Sequence, residues 1–296
     1  MKDDVLIENR IEPAQPMRAG IHKGLYLLPS VFTAANLGMG FFAMMGALRG
    51  FQLVGGGTES ELARAAMHFD SAAKAIGWAY LFDGIDGRLA RMTKTTTEIG
   101  VQLDSLADVL TFGIVPAVLV YAWGYGSAFA DGSDLHKIGW LISLIYLMCG
   151  AFRLARFNVQ ASRPRVLAAG TTKTDKKSFV GLPIPAAAGL IASIIHFSPH
   201  PLVLYSYERG AIYSGLIIAL VGVLSVMMIS TMRFSSFKSI GATKRSTRLT
   251  ILAALAIGAL IWLYSRWVLL LLAGGYVLHG IINKLYAMLF QHRSEE

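Results

Sequence analysis

Four aspartates within residues 83–108 are the side chains of this sequence whose spacing points most directly to chemistry. Asp83 and Asp86 are three residues apart and Asp104 and Asp108 are four apart, so each pair lies on one face of a helix. Carboxylates within or beside long apolar stretches are costly, usually face a protein interior and need partners. Four converging carboxylates repel one another unless cations lie between them, and oxygen-only sites suit Mg²⁺ or Mn²⁺. The spacing therefore predicts a site for divalent cations, two of which could share bridging carboxylates.

Two other interpretations of these aspartates stay open at this point. They could be ordinary charges at helix ends, with Arg88, Arg91 and Lys94 as basic anchors beside a membrane. They could also form the ion site of a cation transporter. Gly87 and Gly100 favour a ligand site, because glycine lets a ligand approach the backbone closely, and an ion-transport site would not require such a framework.

The residues around the four aspartates resemble the signature of the CDP-alcohol phosphotransferase family. The pattern reads D-x2-D-G-x2-A-R-x8-G-x3-D-x3-D, and it is far more specific than a glycine motif alone. In this sequence it comprises Asp83, Asp86, Gly87, Ala90, Arg91, Gly100, Asp104 and Asp108. The signature by itself does not indicate which alcohol accepts the phosphate.

Further segments resemble the phosphatidylserine synthase branch of that family. They are Leu28-Pro29 followed by Asn36-Leu37, Arg153 to Asn158, Gly181 to Gly189, and Met232-Arg233-Phe234 with Phe237-Lys238. Ser30 departs from the asparagine that many relatives carry at this position. The branch resemblance implies transfer of a phosphatidyl group from CDP-diacylglycerol to L-serine, which gives phosphatidylserine and CMP. A sibling enzyme that uses glycerol 3-phosphate, inositol phosphate or choline would keep the same four carboxylates.

The family resemblance also implies roles for individual residues. Asp83, Asp86 and Asp104 would be metal ligands, and Asp108 would both touch metal and take the proton from the attacking hydroxyl. The implied cofactors are two divalent cations, Mg²⁺ or Mn²⁺. The expected contacts to CDP-diacylglycerol are Thr33, Gly87, Ala90, Arg91 and Gly100. A homodimer is the assembly that the resemblance implies.

Arg153 and Arg156 form a cationic pair on one helical face at the end of an apolar run. Arginine binds carboxylates bidentately, so we expect the pair to recognise the serine carboxylate or a lipid phosphate. The alternative is a pair of basic anchors at the cytoplasmic end of a span.

The composition is that of a polytopic membrane protein. Apolar residues make up 54% of the chain and charged residues only 15%, with a mean hydropathy of +0.53. The net charge of +9 suits basic anchors and anionic lipid head groups, and no basic run is interleaved with aromatics, which argues against a nucleic-acid partner. Cys149 is the single cysteine and lies in an apolar run. We expect membrane lipids to surround the chain.

The uncharged runs predict an all-α fold of about eight membrane spans. Seven runs are long enough to cross a bilayer, or nearly so, and an eighth arises by extending residues 75–82 from about Ala66 through the first aspartate pair. The last two would form a tight helical hairpin near Tyr264. The predicted spans lie near residues 25–48, 66–86, 109–130, 138–152, 179–199, 210–232, 249–265 and 267–283.

Eight spans put both termini on one side of the membrane, and the basic residues indicate which. With the termini inside, 21 of the 27 Lys and Arg residues fall in inner segments, so the positive-inside rule predicts cytoplasmic termini and a cytoplasmic active site in the cell membrane. The predicted division is a cytoplasmic segment 1–24, a six-span catalytic domain 25–240, a two-helix hairpin 241–290 and a cytoplasmic tail 291–296.

Overall fold

The computed structural model describes residues 22–93, 98–162, 178–205, 207–235 and 244–291. Most of the predicted N-terminal segment and nearly all of the C-terminal tail lie outside these ranges. Eight α-helices form the framework. They are α1 (His22–Gly56), α2 (Glu59–Thr93), α3 (Glu98–Asp108), α4 (Val115–Val120), α5 (Asp134–Ser162), α6 (Ile184–Phe197), α7 (Tyr207–Ile229) and α8 (Lys244–Gln291).

Six segments of the described chain are long and apolar enough to cross a membrane. A helix suits them because it satisfies every backbone polar group internally, as the lipid interior requires. The protein is therefore an integral membrane protein. The segments are Val31–Gly56, Ile99–Tyr125, Asp134–Gln160, Ile184–Leu204, Glu208–Ile229 and Leu255–Lys284.

The six segments differ from the eight predicted spans for two physical reasons. The predicted span 66–86 lies within α2, whose 35 residues include both aspartates of the first pair and other charges, so its hydropathy is low. The two predicted C-terminal spans lie within the single element α8, whose backbone is non-helical at Tyr264. The predicted hairpin position thus coincides with a kink, and the count of eight stays a prediction.

A tight turn joins α1 to α2. Gly57 has φ +72°, a left-handed conformation that favours glycine. Thr58 and Glu61 then form a reciprocal cap, because the Glu61 N–H donates to Thr58 Oγ1 while the Thr58 N–H and hydroxyl donate to Glu61 Oε2. These local bonds begin α2 at once, so it runs back antiparallel to α1.

Small residues let α1 and α2 pack closely. A Cβ added at Gly46 would lie 3.3 Å from the Cβ of Ala72, and one added at Gly50 would overlap the ring of Phe69. Membrane helices associate through such small residues because the backbones can approach each other. The close contact fixes the register of the two helices down to the first aspartate pair.

The membrane segment Ile99–Tyr125 is not a regular α-helix. A π-helix, Val109–Ile114, follows α3 directly, and a second one, Tyr121–Tyr125, follows α4. The fully buried Tyr146 of α5 donates from its hydroxyl to the carbonyl of Phe112 at 3.1 Å. This bond joins α5 to the π-helix immediately beyond Asp108.

A short β-ribbon adds to the helical framework, which the all-α prediction did not include. β1 (Ser178–Val180) pairs antiparallel with β2 (Arg233–Ser235). Gly181 follows with φ +81°, and a Cβ there would overlap the carbonyl of Met228. α6 begins at Ile184, so most of the family-like segment from Gly181 to Gly189 is helical.

A polar relay fastens α8 to the helices before it. His196 of α6 binds Asp70 of α2 through Nδ1 at 2.5 Å and Ser265 of α8 through Nε2 at 2.9 Å. Asp70 also pairs with Lys74 at 2.7 Å. His196 is buried, and the next residue, Phe197, packs its ring edge-on against Trp267. We call this group the α8 relay; it lies at the end of α2 remote from the aspartates.

Candidate active site

The two aspartate pairs come together where the last turns of α2 meet α3. One carboxylate oxygen each from Asp83, Asp86 and Asp104 lies within 4.8 Å of the others, a set that could hold a metal ion. Two unit charges at that separation repel by about 3–4 kcal/mol at an effective dielectric constant of about 20. Within the described chain, none of the four aspartates has a basic nitrogen within 4 Å. The arrangement therefore favours a cation between the carboxylates.

Asp108 lies beside this cluster. Its carboxyl group interacts electrostatically with those of Asp83, Asp86 and Asp104. Oδ1 of Asp108 and Oδ1 of Asp104 are buried and have no hydrogen-bond partner among the described residues. Buried carboxylate oxygens with free lone pairs are the ligands that Mg²⁺ and Mn²⁺ prefer, so the donor set fits a divalent cation.

Thr33 reaches the same cluster from α1. Its hydroxyl donates to Oδ2 of Asp86 at 3.2 Å, and both side chains are buried. The resemblance placed Thr33 among the contacts to CDP-diacylglycerol. Its observed partner is a carboxylate of the proposed metal site, so it orients Asp86.

The remaining signature residues flank the carboxylates on the same two helices. Gly87 lies on α2 directly after Asp86 and is half-buried, and Gly100 opens α3 one turn before Asp104. Ala90 and Arg91 lie on the last turn of α2, and their side chains are outside the described part of the structure. The predicted contacts of all four with a nucleotide stay predictions.

Arg153 and Arg156 have different surroundings although they lie three residues apart on α5. Arg153 is buried and interacts electrostatically with Asp108 and with Tyr276 of α8. Arg156 is half-buried and donates from Nη1 to the carbonyl of Ile229, at the end of α7. An arginine at a helix C-terminus satisfies a free carbonyl and complements the helix dipole. Arg153 thus interacts with one carboxylate of the site, and Arg156 holds α7.

α5 also braces the second aspartate helix directly. Nδ2 of Asn158 donates to Oγ of Ser105 at 2.8 Å, next to Asp104. α5 continues to Ser162, ten residues beyond the end of the predicted span at 152. The predicted span ends just before the first charge of this part of the chain, Arg153, so the sequence did not indicate this contact.

Comparison with known proteins shows a consistent family relationship. A family model described as CDP-alcohol phosphatidyltransferase matches residues 26–221. The chain is 30% identical over 264 residues to a Helicobacter pylori protein, covering 89% of this chain and 93% of that one. It is 31% identical over 168 residues to a Bacillus subtilis protein, covering 57% and 76%. Both relatives are named CDP-diacylglycerol–serine O-phosphatidyltransferase.

The family match begins in α1 before Thr33 and ends in α7, so it contains both aspartate helices and both arginines of α5. The carboxylate cluster thus lies within the part of the chain that matches the family model. The chain belongs to the CDP-alcohol phosphatidyltransferase family and is an enzyme of membrane phospholipid biosynthesis.

Proposed function

We propose that this enzyme transfers the phosphatidyl group of CDP-diacylglycerol to L-serine, giving phosphatidylserine and CMP. The observation that carries the proposal is the convergence of Asp83, Asp86 and Asp104, inside a chain that resembles a relative named as a serine O-phosphatidyltransferase along most of its length. Family membership also favours an enzyme over the cation transporter that the sequence left open.

The four aspartates would hold two divalent cations, Mg²⁺ or Mn²⁺. Cations bound there would neutralise the pyrophosphate and stabilise the CMP leaving group. Asp83, Asp86 and Asp104 supply carboxylate oxygens that already lie close together, and Asp108 adds a fourth group. Thr33 holds Asp86 in place through its hydrogen bond.

Asp108 would take the proton from the serine hydroxyl. The serine oxygen forms a bond to the β-phosphorus, the bond from that phosphorus to the CMP oxygen breaks, and the proton moves to Asp108. An aspartate is a weak base for a hydroxyl, so the proton leaves late, as the new bond forms. Positioning and electrostatics then supply most of the rate, as in phosphoryl transfer generally.

The substrates would meet at this end of the bundle. Gly87 and Gly100 would let the nucleotide approach the backbone, with Ala90 beside them and Arg91 paired to the pyrophosphate. For serine, Arg153 is the better placed of the two arginines, because it is buried beside Asp108. Arg156, which binds the end of α7, would act mainly by holding that helix, with lipid phosphate as its alternative partner.

The C-terminal part of the chain supports a hairpin at Tyr264. Ser265 binds His196, whereas Tyr276 interacts with Arg153, so this half of α8 runs towards the aspartate end of the bundle. A straight α8 would put Lys244 about 48 Å along the axis from Tyr276. Only nine residue steps join Ser235 of the β-ribbon to Lys244, and they span about 32 Å at most. The connection from the β-ribbon is therefore too short to reach the start of a straight α8, whereas a reversal at Tyr264 brings Lys244 back towards the β-ribbon. We therefore propose eight spans.

Eight spans and the distribution of basic residues support a topology with both termini and the aspartates on the cytoplasmic side of the cell membrane. Serine would then enter from the cytoplasm while the acyl chains of CDP-diacylglycerol stay among membrane lipids. A homodimer, as the family resemblance implies, is our proposal for the assembly.

A comparison of acceptors tests the function. Purified protein receives CDP-diacylglycerol and Mn²⁺ with L-serine, glycerol 3-phosphate, inositol phosphate or choline, each offered separately, and CMP release is measured. We expect release with serine at least tenfold above every other acceptor. Equal or faster release with another alcohol would assign the enzyme to a sibling activity.

A further inference from the structure

We propose that Asn36 of α1 is a further residue of the cation site, with its carboxamide oxygen binding a divalent cation from the membrane-interior side. The inference rests on the proposed function, because it assumes that the four aspartates hold cations. Neither the signature nor the predicted set of contacts includes Asn36.

The burial of Asn36 is the first observation. Its side chain is 0% exposed, and neither Nδ2 nor Oδ1 has a hydrogen-bond partner among the described residues. Burying an amide without partners costs about 1–3 kcal/mol. Asn36 lies on the buried stripe of α1 that also carries Thr33, Gly40, Ala43 and Ala47. Apolar or small residues fill the rest of that stripe beyond Thr33, so an asparagine there is an exception.

The register of α1 against α2 places Asn36 opposite Asp83. Thr33 contacts Asp86, and farther along the same antiparallel pair Gly46 lies against Ala72 and Gly50 against Phe69. Each step along α1 is therefore matched by an equal step back along α2. Asn36 is three residues after Thr33, and Asp83 is three residues before Asp86.

The membrane segment Ile99–Tyr125 independently places Asn36 at the depth of the aspartates. A Cβ at Gly40 would meet the side chain of Thr111, three residues after Asp108. Asn36 is four residues before Gly40, about 6 Å along the axis of α1, and Asp108 is likewise one helical turn before Thr111. Asn36, Asp83 and Asp108 therefore share one layer of the bundle, and Oδ1 of Asp108 is itself without a partner among the described residues.

The chemistry of a carboxamide suits this layer. Asparagine oxygen is a regular ligand of hard divalent cations and adds no further negative charge to four crowded carboxylates. The Nδ2 group can at the same time donate to a carboxylate oxygen and hold it in place. A cation ligand and a carboxylate acceptor would satisfy both ends of the amide, which the described protein groups leave unpaired.

Cation binding without substrate gives a direct test. We expect Asn36→Leu, which keeps the shape but removes both polar atoms, to raise the Kd for Mn²⁺ about tenfold by electron paramagnetic resonance titration of the purified protein. The unfolding temperature of Asn36→Leu in detergent should equal or exceed that of the wild type, because the variant no longer buries an amide that lacks partners among the described residues. Asn36→Ala removes the same polar atoms without adding a branched chain. If one of the two variants fails to fold, the other still tests the proposal. Asn36→Asp keeps a ligand oxygen and should bind Mn²⁺ at least as tightly as wild type.

Two reference variants separate the possible outcomes. Ser214→Ala removes another fully buried polar atom, on α7, that has no partner in the described part of the chain, and should leave Mn²⁺ binding unchanged. Asp104→Asn should weaken Mn²⁺ binding severely. Wild-type binding by Asn36→Leu and Asn36→Ala, with Asp104→Asn impaired, would overturn the role of Asn36 alone. Wild-type binding by Asp104→Asn as well would overturn the cation site of the proposed function.

Discussion

The hydroxyl of Thr33 donates to Oδ2 of Asp86 at 3.2 Å and so joins the first helix to the second across 53 residues of sequence. This bond is buried, and it holds a carboxylate that contributes an oxygen to the cluster. A buried hydrogen bond to a charged group contributes about 1.5–3 kcal/mol. Orientation of the site therefore depends on a helix that carries none of the signature residues.

Replacement of Thr33 tests this orienting role. Thr33→Val keeps the shape of the side chain and removes the donor, so we expect kcat/KM for serine to fall at least tenfold, about 1.4 kcal/mol. Thr33→Ser retains the hydroxyl and should stay within about threefold of wild type. If valine and serine variants turn over equally, the hydrogen bond does not contribute to catalysis.

Arg153→Lys tests acceptor recognition. Lysine keeps the charge but loses the planar fork that binds a carboxylate bidentately. We expect KM for serine to rise at least fivefold with little change in KM for CDP-diacylglycerol, measured by initial rates of CMP release. Equal changes in both constants, or none, would make Arg153 a basic anchor.

Arg156→Met is the matched comparison on the same helix. The change removes the donor to the carbonyl of Ile229, so we expect the free energy of unfolding to fall by about 1–2 kcal/mol. Chemical denaturation in detergent measures this loss. A stable variant whose KM for serine rises instead would show that Arg156, and not only its neighbour, binds substrate.

The α8 relay should contribute to stability. His196→Leu removes both hydrogen bonds of the buried imidazole, to Asp70 and to Ser265, and we expect the unfolding free energy to fall by about 1–3 kcal/mol. His200→Leu is the control, because His200 is exposed near the same helix end. Thermal unfolding in detergent compares them, and similar melting temperatures for the two variants would refute a stabilising relay.

Cysteine labelling tests the membrane orientation. Thr95 lies between the two aspartate pairs, outside the described residues. We expect Thr95→Cys in a Cys149→Ser background to react with a membrane-impermeant thiol reagent in inverted vesicles only. Asp131→Cys, in an exposed loop before α5, should show the opposite pattern. Labelling of Thr95→Cys in sealed cells would show that the predicted membrane orientation is wrong.

The proximity of Asp83, Asp86 and Asp104 could be predicted from the sequence because these residues are close together in the chain. Helical spacing alone puts Asp83 beside Asp86 and Asp104 beside Asp108, and only the short connection between α2 and α3 separates the two pairs. The partner of Thr33 could not be predicted, because it depends on the α1–α2 register. Small residues such as Gly46 and Gly50 set that register far from the site.

The sequence predicted the fold less completely where a helix continues beyond its apolar run. Apolar runs indicated a helical membrane protein, and the described residues include six segments suited to crossing. They did not indicate that α5 continues to Ser162, since its last turns are polar. Nor could they predict the β-ribbon, whose strands pair Phe179 with Phe234 across two helices.

The transfer of serine into lipid tests the central claim most directly. Purified protein is incubated with CDP-diacylglycerol, Mn²⁺ and isotopically labelled L-serine, and labelled phosphatidylserine is measured beside CMP. We predict one molecule of each product per turnover for wild type, and less than about a tenth of that rate for Asp104→Asn at unchanged folding and membrane insertion. Loss of a ligand charge should cost well over the 1.4 kcal/mol that a tenfold change represents. Full activity in Asp104→Asn, or CMP release without label in phosphatidylserine, would contradict the account.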